Sequence, residues 1–425
     1  MSLLIPAAPG YDAWAWLTWG REVWDGALST AEGPAWKPLP VAITTLLAPF
    51  GAAAPDLWLV VARTGAIAAV VLAFLVARQL ANGLVAAGVA AAAAVLLTGG
   101  FVRHAAVGDT EPLLVALALA AFHRALAQRH RQALALAVLA ALLRPEAWPF
   151  AAAYALSRWR ADPHVRPLLA AAAVAVLAAW FVPEWVSSGE LLRSTERARI
   201  PNPGQPATAD VPALETLART PAVLFFPAAL AALLARGPAR LLALGGAAWI
   251  LLVALMSQAG FSGEERYVLP GAAIVAVAGA TALARAEHHR VAAAALAALF
   301  ALAAVPRIDD VADLRPRLAY QQRLADALPI AIARAGGRQA ILACGTPAVG
   351  RYRGTLLAWH LEVPKHRVRA DGHPGDVTFR SRLTEHAAVS PPGPPPATEP
   401  WEIAYSPGSS CFSESTGAKR SPSRS

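Results

Sequence analysis

The sequence predicts an all-α polytopic membrane protein of about ten spans or short half-spans. It also predicts a small C-terminal α/β module outside the membrane and a disordered tail. Three observations carry this. The 425 residues are 56% hydrophobic and only 15% charged, with a mean hydropathy of +0.44, whereas a soluble globular chain carries roughly 25% charged residues. Apolar runs recur between residues 57 and 305. The composition then changes after Pro306, and again at residue 388, where Pro, Ser and Gly take over. The expected organisation is therefore an extracytoplasmic Trp-rich loop with interface helices over 1–56, a transmembrane helical domain over 57–305, a soluble module over 306–387 and a tail over 388–425.

The net charge of +9 and the pI near 10.2 do not indicate nucleic-acid binding. In a membrane protein such a balance reflects arginine-rich cytoplasmic loops that set topology. Lysine occurs only at 37, 365 and 419. Where every other cation is arginine, a lysine at 37 suggests a site suited to a compact ammonium.

Residues 1–10 are too short and proline-rich to span, and they lack the charged region of a signal peptide. The expectation is a chain tethered only by its later apolar segments, or a first span encoded upstream of Met1. Tyr11 to Pro40 holds five tryptophans, Trp14, Trp16, Trp19, Trp24 and Trp36. Wound as a helix, Asp12, Trp16, Trp19 and Val23 share one face, with Arg21, Glu22 and Asp25 on others. Indole rings favour the membrane–water interface. The segment reads as a helix lying on a membrane surface, succeeded by a proline-bounded turn at 33–40. Asp12 is a candidate general base, or a solvated helix cap.

Spans are expected at 57–77, 83–98, 112–127, 167–183, 221–236, 241–257, 268–284 and 291–305, with 39–50 too short to cross. Pro145 and Pro149 interrupt 132–157, which reads as a hairpin of two short helices. Arginines at 124–131, 158–166, 236–240 and 285–290 mark cytoplasmic turns. The Trp-rich segment, the GDTEP turn at 108–112, the RPE turn at 144–146, the loop 184–220 and the GEERY turn at 263–267 then all face outside. Non-arginine charges thus gather at one membrane face.

Within that set, Asp109 and Glu111 open a span. They serve either as cap and dipole partner of the helix or as an acidic site for an acceptor or a metal. Arg144 and Glu146 lie at the hairpin break, where charge must pair or line a watery cavity. They form a mutual ion pair, or Arg144 anchors a phosphate. Glu264 and Glu265 suit a helix start, but Arg266 does not, and it calls for an anionic partner. Arg63 reads as structural. The loop 184–220 is a mobile flap or an ordinary long loop. In the module, 313–335 reads as helix, 339–344 as a strand and 355–363 as a strand or short helix. Cys344 and Cys411 are able to pair in an oxidising exterior.

Taken in order, YDAWAW with Asp12, AWKPLP with Lys37, GDTEPLL with Asp109 and Glu111, ALLRPEAWPF with Arg144, and EERYVLP with Glu265, Arg266 and Tyr267 resemble the GT-C class of integral-membrane glycosyltransferases. The resemblance covers roughly residues 11–305. It implies an enzyme of the cell membrane that moves a hexosyl or pentosyl group from a polyprenyl-phosphate carrier to an acceptor glycan, lipid or protein at the outer face. Asp12 would be the catalytic base. Lys37, Arg144 and Arg266 would hold the donor phosphate. Asp109, Glu111, Glu146 and Glu265 would form an acceptor site, or hold a divalent metal if the reaction uses one. Trp16, Trp19 and Tyr267 would contact sugar or lipid. The alternative is a non-catalytic transporter or envelope-binding scaffold with the same fold. A transporter is expected to place ionisable groups near the bilayer midplane within internal repeats, and the sequence shows no repeat.

Overall fold

The computed structural model describes residues 6–284, 290–381 and 400–411. The described residues are mostly helical, in keeping with the predicted class. The Trp-rich segment forms α1 (Tyr11–Trp24) and α2 (Pro38–Leu47). A bundle comes next, of α3 (Ala54–Leu80), α4 (Val85–Leu96), the short α5 (Phe101–Ala106), α6 (Glu111–Leu126), α7 (His130–Leu143), α8 (Trp148–Ala161) and α9 (Arg166–Ser188). It continues with α10 (Arg193–Ala198), α11 (Pro212–Val223), α12 (Phe226–Ala232), α13 (Pro238–Gln258), α14 (Glu265–Ala284) and α15 (Arg290–Ala312). The stretches Pro38–Leu80, Pro163–Ser188 and Pro238–Gln258 are each long and apolar enough to cross a bilayer by length and composition. The bundle core is built largely from alanine, with Ala69, Ala73, Ala77, Ala91, Ala272 and Ala278 among its fully buried residues. Small side chains let helices approach closely where lipid offers no hydrophobic drive.

Proline sets several breaks. The chain leaves helical geometry at Arg144 (φ −151°, ψ 135°), as residues before proline favour extended backbone, so α7 and α8 form the expected interrupted hairpin. The expected span at 221–236 is instead two pieces, because Phe225 is extended ahead of Pro227. The loop 184–220 is not a free flap. It continues α9 to Ser188, adds α10 and ends in α11.

The module comprises α16 (Leu314–Arg334), α17 (Gly337–Cys344), β1 (Thr346–Val349), α18 (Gly354–Leu361), β2 (Asp376–Ser381) and β3 (Trp401–Tyr405). Its sheet has the order β1-β2-β3, parallel between β1 and β2 and antiparallel between β2 and β3. Two expectations are corrected by this module. Residues 339–344 are helical: the run is short and apolar, and periodicity alone does not separate a buried strand from a buried helix. The tail beyond 388 is not disordered throughout. Trp401–Tyr405 pairs with β2, Trp401 donates its indole N–H to Leu324 O at 2.7 Å, and Cys411 is disulfide-bonded to Cys344. The Pro/Ser/Gly composition hid a strand of five residues. Residues 382–399 and 412–425 of that expected tail lie outside the described residues, as do 285–289 of the basic turn.

The module rests on α1, which overturns the reading of α1 as a surface helix. Every residue from Asp12 to Gly20 is buried. One side of α1 faces α2, and a Cβ on Gly20 would come within 2.5 Å of the Thr44 carbonyl carbon, so only glycine permits that crossing. The other side meets α18. Arg21 donates to Trp359 O at 3.0 Å and stacks 4.6 Å from its ring, and Thr355 donates to Tyr11 O. Lys365 pairs with Glu32 at 3.1 Å. The indoles of Trp14, Trp16 and Trp19 are therefore dry because protein covers them, whereas Trp24 at the end of α1 is exposed.

Candidate active site

The first turn of α1 is brought against the GDTEP turn by a bond from Gly10 N–H to Val107 O at 2.8 Å. Asp12 therefore stands near the entrance to α6. From the other side, α14 begins beside it. Arg266 donates through Nη1 to Asp12 Oδ2 at 3.0 Å, and Lys37 Nζ lies 3.6 Å from the same oxygen. Burial by itself would raise the Asp12 carboxyl, but Arg266 and Lys37 hold it below its usual range. The Lys37 ammonium is pushed down, by burial first and then by Arg144. It sits 4.8 Å above the Trp16 ring, and Trp16 is itself buttressed edge-on by Trp58 at 5.5 Å.

Arg144 anchors a second ion cluster. Its Nη1 donates to Glu146 at 2.8 Å and its Nη2 to Glu111 in a tight contact. All three side chains are almost fully buried. Tyr267 joins the two clusters: its ring lies 4.2 Å from the Arg144 guanidinium and 5.0 Å from that of Arg266, whose Nη2 donates to its hydroxyl at 3.1 Å. Asp12, Lys37, Arg266, Tyr267, Arg144, Glu111 and Glu146 thus form one continuous polar site, drawn from the Trp-rich loop, α6, the hairpin break and α14.

Four expected members change role. Glu265 is exposed. Its neighbour Glu264, still outside the helix, takes its place on Arg266 at 2.6 Å, since α14 begins at Glu265 and turns that side chain away. Trp19 is fully buried, with its N–H on Ser29 O and Trp36 5.6 Å away, so it packs the loop and does not face sugar or lipid. Trp16, also fully buried, is the floor under Lys37. Arg144 has both Nη groups committed to carboxylates, so in this arrangement it organises the acids.

Asp109 does not cap α6. It bonds His104 Nδ1 at 2.8 Å. His104 has no sequence signal and enters the site only through the packing of α5. His104, Asp109 and Glu111 offer ligand atoms within 4.8 Å of one another, a donor set suited to a divalent ion. Glu111 Oε2 is buried without a hydrogen-bond partner and is free to serve. Arg144, bonded to the other oxygen of Glu111, sets a cation against any ion there.

No family model and no curated protein matches the chain. Among solved structures it is similar to ArnT from Cupriavidus metallidurans bound to undecaprenyl phosphate, with 12% identity, a TM-score of 0.54 and coverage of 89% of this chain and 90% of that chain. It is also similar to the same protein in the apo state, with 15% identity, a TM-score of 0.50 and the same coverage. The fold is a GT-C fold. The protein is accordingly a polytopic membrane protein, and in this GT-C fold the polar site lies where the Trp-rich loop and the openings of α6 and α14 meet.

Proposed function

We propose that the protein is a membrane glycosyltransferase that moves a sugar from a polyprenyl-phosphate carrier to an acceptor hydroxyl at the outer face. The observation that carries this is the shared grip of Lys37 and Arg266 on Asp12 Oδ2. Two cations focused on one point, in a protein-lined site, form a ready receptor for a phosphate. The fold of a protein seen bound to undecaprenyl phosphate supports a lipid carrier as its source. The transporter reading has less support, since the ionisable groups gather in a single site and not along a midplane pathway.

In this mechanism the donor phosphate replaces Asp12 as the partner of Lys37 and Arg266. A carboxylate pinned by two cations is a weak base, and losing them restores its basicity. Asp12 then accepts the proton of the acceptor hydroxyl. That oxygen attacks the anomeric carbon, and the bond from this carbon to the carrier phosphate oxygen breaks. The electron pair leaves on the phosphate, whose added negative charge Lys37 and Arg266 stabilise, and the configuration inverts. Arg144 holds Glu111 and Glu146 in place beside the reacting centre. If a divalent ion takes part, His104, Asp109 and Glu111 would hold it, and it would supply further charge neutralisation.

The test is sugar transfer in membranes. Radiolabelled polyprenyl-phosphate mannose, glucose and arabinose are offered to the full chain, with Asp12→Asn as control. Label reaching an acceptor only with the unaltered protein supports the reading. No transfer from any donor, by protein shown to be inserted, sinks it.

A further inference from the structure

Lys37 has no regular element to fix it on its N-terminal side. It ends the irregular stretch between α1 and α2 and adopts extended backbone (φ −139°, ψ 110°) at the head of α2. Its ammonium nevertheless has to stay over Trp16 and beside Asp12. What holds the preceding residues is a cluster on the outer end of α9 and the start of α10, a region that the charge pattern of loop 184–220 did not single out for any role.

Glu184 is 1% exposed. Its carboxylate accepts from Arg193 Nη1 at 3.3 Å, from Ser194 N–H at 3.1 Å and from the Ser194 hydroxyl at 2.5 Å. Arg193 then reaches across to the Trp-rich loop, donating to Pro34 O and Gly33 O, each at 3.0 Å. The Ser194 hydroxyl oxygen accepts the backbone N–H of Trp36, the residue just before Lys37, at 2.5 Å. The Trp36 indole N–H is held by Ala179 O at 3.0 Å. Gly33 has a positive φ of 119°, and a Cβ there would meet Trp19 at 2.9 Å, so the loop sits tightly on the ring that Trp36 also packs against. Residues 33–36 are thus bonded at four points to a second part of the chain. A buried, fully paired carboxylate that serves only to aim an arginine and a serine is costly to keep and is well suited to precise placement.

We propose that Glu184, Arg193 and Ser194 are a latch that positions Lys37 for the donor phosphate. They are positioning residues: none need touch the substrate, and each acts through the backbone of 33–36. A displacement of about 1 Å in a charge-bearing group is enough to cost on the order of a hundredfold in rate. The latch rests on the transferase reading only for its kinetic arm.

The experiment has two arms, both on the full chain in membranes, with variants Glu184→Gln, Arg193→Lys and Ser194→Ala. Ser188→Ala is the control, because among the described residues that hydroxyl bonds only the Glu184 carbonyl and the Glu190 carbonyl and amide nearby. In the first arm, acylation of Lys37 by a water-soluble succinimidyl ester is followed by mass spectrometry, with Lys419 as internal reference. Lys37 is expected to be labelled about tenfold faster in Ser194→Ala and Glu184→Gln than in the unaltered protein. In the second arm, donor KM is expected to rise about tenfold in those variants with a smaller change in kcat, and Arg193→Lys to be intermediate. Unchanged labelling of Lys37 in all three variants, with protein inserted, would overturn the latch. Faster labelling with donor KM unchanged would overturn its positioning role. If the unaltered protein transfers no sugar, the transferase reading falls alone and the labelling arm still decides the latch.

Discussion

Arg266 Nη1 lies 3.0 Å from Asp12 Oδ2, joining residues 254 positions apart in the chain. This contact closes the site, since it ties the opening of α14 to the first turn of α1. It also leaves one oxygen of Asp12 between two cations, Arg266 and Lys37.

Asp12→Asn should therefore separate binding from chemistry. Removing the base is expected to lower kcat by about 10²–10⁴-fold. The amide also stops neutralising Lys37 and Arg266, so donor KM is expected to stay level or fall. Steady-state transfer assays at varied donor concentration measure both. A raised KM with unchanged kcat would place Asp12 in donor binding alone.

Lys37→Ala and Arg266→Ala should act on the leaving phosphate. Each is expected to lower kcat/KM on the order of a hundredfold, as loss of one donor to a developing anion does. Lys37→Arg should remain impaired. The lysine is 8% exposed and its ammonium is confined over Trp16, and a planar guanidinium does not fit as a compact point charge does. Full activity in Lys37→Arg would show that only charge matters there.

Chelation addresses the His104–Asp109–Glu111 group. Arg144 already neutralises Glu111, so membranes washed with EDTA are expected to keep their transfer activity. Loss of activity, restored by added Mn²⁺ or Zn²⁺ and absent from His104→Ala, would assign a required ion to that group.

Near the junction of α1 with the module, the buried Glu22 and the partly buried His360 have opposite pH signs. Burial pushes the Glu22 carboxyl from its ordinary 4.5 up to about 7. Burial, with Arg21 nearby, pushes His360 from 6.5 down to about 4. For Glu22 the folded state binds the extra proton between these values, so its contribution to stability is lost as pH rises from 4.5 to 7. For His360 the unfolded state binds the proton, so stability is gained as pH rises from 4 to 6.5. In the unaltered protein the two slopes oppose. Glu22→Gln is expected to unmask a melting temperature that rises with pH over 4–6.5, and His360→Gln one that falls over 4.5–7. Thermal melts of detergent-solubilised protein across this range read both, and parallel profiles for the two variants would show that neither group is linked to folding.

Much of the architecture was legible in the sequence. Apolar runs marked the bundle, because burying charge in lipid is too costly to occur without a partner. The break at Arg144 came from Pro145, which forces extended backbone before it. Most of the candidate site was legible for a related reason: Asp12, Lys37, Glu111, Arg144, Glu146, Arg266 and Tyr267 are polar groups at the ends of apolar segments, and the structure brings them together. His104 and the Glu184–Arg193–Ser194 group carried no such signal. They look like ordinary loop or helix-end residues until the chain folds back over them.

The sequence by itself thus determined the membrane class, the positions of most helices and the collection of charge at one end of the bundle. These depend on local hydropathy, proline and the desolvation of charge. Only the tertiary structure decided which cation meets which acid, that Glu264 and not Glu265 faces Arg266, that Trp14, Trp16 and Trp19 are covered by protein, and that Trp401–Tyr405 completes a sheet. Those outcomes depend on contacts between residues distant in the chain, where a single residue of helical rotation or one docking surface chooses the partner.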